Sequence, residues 1–150
     1  MTIYIGADHR GFALKEHLKQ FLAGKGYQVA DMGNDHYDEG DDYPDFAAKV
    51  GKNVSEEYET AMGILVCGSG VGVDVVANKF PRVRSALAAT PDQAFDARHD
   101  DNANILSLAS NYTNSEAAEK IVSAWLATPF AGEERFIRRL RKIEKIENEE

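Results

Sequence analysis

Short apolar runs alternate with amphipathic helical stretches along the whole chain, and this alternation limits the possible folds more than any other feature. The runs are "TIYIG" (2–6), "YQVADM" (27–32), "AMGILVC" (61–67), "RSALAAT" (84–90) and "NILSLAS" (104–110). A near-continuous apolar run such as 61–67 suits a parallel strand covered on both faces. Between the runs the period changes. Leu14, Leu18, Phe21 and Leu22 fall at i, i+4, i+7 and i+8, one face of a helix, and "GKGY" (24–27) ends it. Pro44 suits a first helical position before Phe46, Ala47, Val50 and Val54. Further helices are expected over about 73–79, over 91–99, over "TNSEAAEKIVSAWLA" and over about 133–148. Five alternations with short connections predict an α/β fold: a three-layer, Rossmann-like sandwich around a five-stranded, mainly parallel sheet, in one domain spanning 1–150. Ligands of such sheets bind beyond the carboxyl ends of the strands. Three polar clusters are assigned to that edge: Asp8–His9–Arg10, Cys67–Gly72 and Arg98–Asn104.

The charge balance excludes some partners. The net charge is −8, which argues against nucleic acid held by a general basic field. It also repels a phosphorylated substrate at long range, so any anion site must be built locally. A single cysteine forms no internal disulfide, which fits a reducing, cytoplasmic setting. "MTIYIGADHR" has neither the basic start nor the apolar stretch of a signal peptide. No apolar run approaches the roughly 20 residues of a membrane helix. No histidine pair has metal-site spacing, and one cysteine cannot make a thiolate zinc site, so no metal is expected.

"CGSGVGVDVVANK" (67–79) carries the strongest chemical signal. Gly68, Gly70 and Gly72 alternate with Ser69 and Val71, a pattern that lets backbone N–H groups turn toward one point ahead of a helix. That suits an oxyanion or a phosphate; a tight packing turn is the structural alternative. No Lys-Ser/Thr follows, so this is not a Walker A loop, and G-x-G-x-G matches a dinucleotide site only weakly. Cys67 ends the strand, where a helix N-terminus favours thiolate. Its residue context leaves three roles open: nucleophile, general base or small buried side chain.

His9 follows the first strand and can reach the carboxyl edge, whereas His17 reads as structural and His36 as solvent-facing. His99 ends the helix in "ARHDDNAN". Arg135 and Arg139 lie four apart on the last helix and share a face. They suit a phosphate grip, or pairing with Glu133, Glu134 and Glu144 on a solvated helix.

The ordered set "GADHRGFALK", "DYPDFA", "CGSGVGV…ANK" and "AWL…F.GEERFIRRLRKI" resembles the ribose-5-phosphate isomerase B family, which includes galactose-6-phosphate isomerase subunits, over essentially the whole chain. The resemblance implies a dimerising α/β sandwich that interconverts aldose and ketose phosphates through a cis-enediolate without a cofactor. Each active site is then shared between subunits of a homodimer or tetramer, with the C-terminal helix extending to a partner. Cys67 matches the base acting between C1 and C2, and Ser69 an assisting hydroxyl. Gly68, Gly70, Val71 and Gly72 match the anion hole, Asp8 and His9 substrate-binding positions, and Arg135 and Arg139 phosphate-binding arginines. Val73 stands where some members carry a glutamate base, so the chain is similar to the cysteine type.

One segment departs from the pattern. The family's usual R-x-H-N-D-x-N is here Arg98-His99-Asp100-Asp101-Asn102-Ala103-Asn104. Asp100 falls at the ring-opening histidine, Asp101 at a substrate-binding asparagine and Asn111 at a further phosphate-binding arginine. Two explanations stand. Asp100 or His99 opens the ring of a pentose or hexose phosphate, or the substrate is a tetrose phosphate that needs no ring opening. A non-catalytic sugar-phosphate-binding protein, or a subunit requiring a different partner chain, are the remaining alternatives.

Overall fold

The computed structural model describes residues 1–149. Five strands, β1 (Thr2–Ala7), β2 (Gln28–Asp31), β3 (Ala61–Cys67), β4 (Ser85–Leu87) and β5 (Ile105–Ala109), form one sheet in the order β2-β1-β3-β5-β4. Every pairing is parallel, so the expected "mainly parallel" sheet is wholly parallel. β3, the apolar run, lies at its centre and is buried at every position. A strand covered on both faces has no need of polar alternation, which is why its sequence shows none.

Six helices cover the faces: α1 (Phe12–Gly24), α2 (Tyr43–Glu56), α3 (Val71–Ala77), α4 (Pro91–Asp101), α5 (Ser115–Ala127) and α6 (Glu134–Asn148). One core joins Leu14, Leu18 and Leu22 of α1 to Ile121, Val122 and Trp125 of α5 across the sheet's Ile3, Ile5 and Ile64. On the other face Val50 and Val54 of α2 meet Leu65, Val73 and Ile105. Local chemistry marks the helix starts. The Thr90 side chain accepts the Gln93 N–H ahead of α4, and Asn114 accepts that of Ala117 ahead of α5. β4, expected over 84–90, is only three residues long and closes the sheet as an edge strand. α6 packs its start on α4 through buried Phe136, while Ile143 and Ile146 farther along stay exposed. No helix of the described residues is long and apolar enough to cross a membrane.

Candidate active site

β3 delivers Cys67 to the carboxyl edge, 4% exposed, with its carbonyl accepting the Ser110 N–H at 2.9 Å. The turn follows at once. Gly70 sits at φ +75°, and a Cβ there would stand 2.5 Å from Leu87 Cδ1 and 3.0 Å from the Leu108 carbonyl carbon. Only glycine fits both the torsion and the space. α3 starts at Val71, two residues earlier than expected, so its first N–H groups, unpaired within any helix, open at the turn. The Ser69 Oγ accepts the Val71 N–H at 3.2 Å, which leaves the exposed hydroxyl hydrogen free to donate.

The neighbouring loops close on this point. A Cβ at Gly68 would meet Arg10 Cδ at 2.8 Å and Asn111 Nδ2 at 3.1 Å, so both side chains flank the turn. The Asn111 N–H donates to the Gly68 carbonyl, and the Ser110 hydroxyl donates to that of Arg10. β1 ends beside β3, with Ala7 in register with Val66, which puts Asp8 and His9 on the same edge. Asp8 is 6% exposed and one of its oxygens accepts the N–H groups of Arg10 and Gly11, both at 3.1 Å. It therefore shapes the β1–α1 turn as well as facing the edge.

His9 is held from the 33–42 loop. Asp41 Oδ1 accepts both the His9 backbone N–H (2.9 Å) and ring Nδ1 (2.7 Å), and its Oδ2 accepts Asn34 Nδ2–H at 3.2 Å. The bond to Asp41 raises the imidazole above its ordinary range against a smaller opposing effect of burial, with Asp8 adding to the rise and Arg10 opposing it. Burial alone would push the Asp41 carboxyl up; the donors from His9 and Asn34 outweigh it and hold it below the usual range. Arg10 lies at the edge to which its cluster was assigned, though no role was given to it, and Asp41 was not among the residues expected to form the site. The Asp41 contact crosses a long sequence separation, and nothing in its local sequence announces it.

The third cluster belongs elsewhere, and this is a correction. The 98–104 segment ends α4 and precedes β5, so in a parallel sheet it lies at the amino edge, opposite Cys67. The register pairs Gly63 with Ile105 and Cys67 with Ala109. At roughly 3.3 Å per residue, about 13 Å of strand separates those two levels. His99, Asp100, Asp101, Arg135 and Arg139 are thus gathered at the far end of the chain's own sheet. They make a second constellation there. His99 Nδ1 bonds Asp100 Oδ1 at 2.7 Å, its ring stacks on Phe95 (5.0 Å, 22°), and it meets Phe136 edge-on (5.6 Å). The guanidinium carbons of Arg135 and Arg139 lie 4.7 and 5.8 Å from the Phe136 ring centre. Arg135 also pairs with Glu133 at 3.1 Å, the surface pairing weighed from sequence. Asp101 is exposed, and its carbonyl accepts Arg84 Nε–H at 2.9 Å. Arg84 and Arg98 turn their guanidinium groups onto carbonyls at the end of α4, which fixes that helix end.

A cleft of about 660 Å3 opens on the amino edge between α6 and the starts of β1, β3 and β5, with Met62, Ile137, Leu140 and Ile143 among its walls. His17 bonds Glu119 at the surface, and His36 bonds Asp35 in the acidic loop, both far from a reactive role. Among the described residues no group of three or more His, Cys, Asp or Glu side chains is placed to hold a metal ion.

Comparison with known proteins agrees with this architecture. The ribose/galactose isomerase family model matches residues 3–143. The chain is 41% identical over 148 residues to a probable ribose-5-phosphate isomerase B of Mycoplasma genitalium, covering 99% of this chain and 97% of that one. It is 37% identical over 130 residues to the ribose-5-phosphate isomerase B of Escherichia coli K12, covering 87% and 86%. The crystal structure of the Mycoplasma genitalium enzyme with bound ribulose-5-phosphate superposes with a TM-score of 0.96 at 40% identity, covering 99% and 97%. A ribose 5-phosphate isomerase from Thermotoga maritima gives 0.90 at 44% identity, covering 96% and 97%.

Proposed function

The chain belongs to the ribose/galactose isomerase family and is an aldose–ketose sugar-phosphate isomerase, and from that premise we propose that it interconverts ribose 5-phosphate and ribulose 5-phosphate with Cys67 as the base. The observation that carries this reading is the thiol itself. It is buried on the last residue of the central strand, directly before the glycine turn that opens α3. In the open aldose the Cys67 thiolate takes the proton from C2, and the electron pair forms the C1–C2 double bond of an enediolate. The charge gathers on O1, where backbone donors are each worth about 3–4 kcal/mol to the transition state. The Ser69 hydroxyl carries the O2 proton to O1. The thiol returns its proton to C1, leaving a carbonyl at C2. No atom is gained or lost.

The two constellations act together when two chains meet. Asp8, His9, Arg10, Cys67, Gly68, Gly70, Val71, Gly72 and Asn111 are one half of a site. His99, Asp100, Asp101, Arg135 and Arg139 of a second chain are the other half. The exposed apolar face of α6 supports such an assembly, because Ile143 and Ile146 lack cover on a single chain. The second half supplies the phosphate grip through Arg135 and Arg139, and Arg10 and Asn111 meet it from the first. His99 opens the sugar ring. Its Nδ1 is tied to Asp100, and Nε2 takes the proton of the anomeric hydroxyl and passes it to the ring oxygen as the C1–O ring bond breaks. A ring-opening pair favours a cyclic pentose phosphate over a tetrose phosphate, which has no furanose to open. It also disfavours a mere sugar-phosphate binder, which has no use for the pair.

The test is deuterium exchange. In D2O the protein should wash deuterium into C1 of ribulose 5-phosphate and convert it to ribose 5-phosphate. Cys67→Ala should stop the exchange while phosphate-ligand binding persists. No exchange with the wild-type protein rejects the reading, and faster turnover of a tetrulose 4-phosphate or a hexose 6-phosphate transfers it to that substrate.

A further inference from the structure

The acidic loop at 33–42 has no assigned part in the chemistry, yet its one well-buried carboxylate is spent on a single substrate-edge residue. The Asp41 side chain is 5% exposed, against 24% for that of His9. A carboxylate so enclosed must be matched by donors, and three N–H groups supply them: the His9 backbone, the His9 ring and the Asn34 amide. Two of the three come from His9. Because Nδ1 is committed to Asp41, Nε2 is the ring's remaining functional atom. The Tyr37 ring stands edge-on to the imidazole at 6.3 Å and itself meets Phe12 of α1 edge-on at 6.5 Å, so the imidazole is flanked by the loop as well as bonded to it.

We propose that Asp41 is a positioning residue of the isomerase: it fixes the His9 ring through Nδ1 and so presents Nε2–H as a cationic donor to the sugar phosphate. The role rests on His9 facing substrate as read above. A net charge of −8 makes a locally generated cation valuable at this edge. Around His9 the charged and titratable groups are Asp8 and Arg10 from its own turn and Asp41 and Tyr37 from the loop. Asp8 and Asp41 favour the imidazolium and Arg10 opposes it. Since the imidazolium is the competent form, substrate binding holds up to the raised His9 titration and weakens above it. Removing the Asp41 charge brings that weakening to lower pH.

The experiment has two arms. Proton NMR of the resting protein, with the His9 signal assigned through His9→Asn, gives the ring's titration midpoint. In the wild type it should lie above the roughly 6.5 of free histidine, and Asp41→Asn should move it down. Kinetics should show KM for ribose 5-phosphate raised roughly tenfold near pH 8 in Asp41→Asn, with kcat little changed and the difference shrinking toward pH 6. In a His9→Asn background, Asp41→Asn should add nothing to KM. A wild-type midpoint at or below that of free histidine overturns the proposal without any variant. So does a full Asp41→Asn effect on KM in the absence of His9. The titration arm needs no turnover, so a failure of the isomerase reading, seen as absent deuterium exchange, is told apart from a failure of this one.

Discussion

The two edges of the sheet are built in different ways. At the carboxyl edge the backbone does the positioning. Cys67 is fixed by the register of β3, the glycine turn has no room for a Cβ at Gly70, and Asp8 is spent on the N–H groups of its own turn. At the amino edge side chains hold one another. His99 stacks on Phe95 and meets Phe136 edge-on, and Arg135 and Arg139 lie over Phe136 with their charges exposed. The first arrangement suits bond-making steps, which tolerate little displacement. The second suits gripping a phosphate, which needs charge more than fixed geometry. The proposed base stands on one edge and the proposed arginine pair on the other, and this separation is the strongest physical argument for a site completed by a second chain.

The largest effect should come from the carboxyl edge. Cys67→Ala should lower kcat by about 10²–10⁴-fold, the usual worth of a positioned base, with the KM for sugar phosphate nearly unchanged. A loss confined to KM would move Cys67 to a binding role. At the amino edge, His99→Asn should slow consumption of ribose 5-phosphate by about 10²-fold. It should spare deuterium exchange into C1 of ribulose 5-phosphate. That ketose is open, because the oxygen that would close its ring carries the phosphate. Equal damage to both reactions would contradict a ring-opening role. Arg135→Ala with Arg139→Ala should raise KM about 10–100-fold, as expected for lost charge-assisted bonds, and leave kcat close to wild type. A fall in kcat alone would place these arginines nearer the reacting carbons than the comparison of edges allows.

A smaller effect tests how rigid the carboxyl edge is. At the end of β2, burial alone would push the Asp31 carboxyl up, but bonds from Lys15 and Lys19 and the Gly33 N–H outweigh it and hold it below its ordinary value of 3.8. A carboxylate depressed in the folded state stabilises the fold above its unfolded value, and that contribution fades as pH falls through the lower folded value. The melting temperature should therefore drop on acidification below about pH 4, and Asp31→Asn should flatten that part of the profile. An unchanged acid limb in Asp31→Asn would show that the Lys15–Asp31 network does not fasten this edge.

Much of this was legible in the residues. The apolar run ending at Cys67 and the glycines after it located both the central strand and the turn, because a buried strand and a φ of +75° each restrict residue choice locally. The cap-type residues that open "TNSEAAEKIVSAWLA" marked the start of α5 for the same reason, whereas Thr90, which caps α4, was assigned to the strand before it. The 98–104 segment was assigned to the wrong edge. Its polar composition resembles that of a ligand loop, although the expected order, a helix over 91–99 and then a strand over 104–110 in a parallel sheet, already places it at the amino edge. Asp41 escaped because its partner is set by tertiary packing. Thirty-two residues separate Asp41 from His9, and no short-range pattern encodes such a bond.

Complementation tests the division between edges most directly. Cys67→Ala and the Arg135→Ala/Arg139→Ala variant are each purified, mixed, dissociated and reassembled. If each site takes its base from one chain and its arginines from another, hybrids contain one intact site, and random mixing into two-fold dimers should restore roughly a quarter of wild-type activity. If the mixture is no more active than its components, base and arginines come from the same chain, and the shared site is wrong.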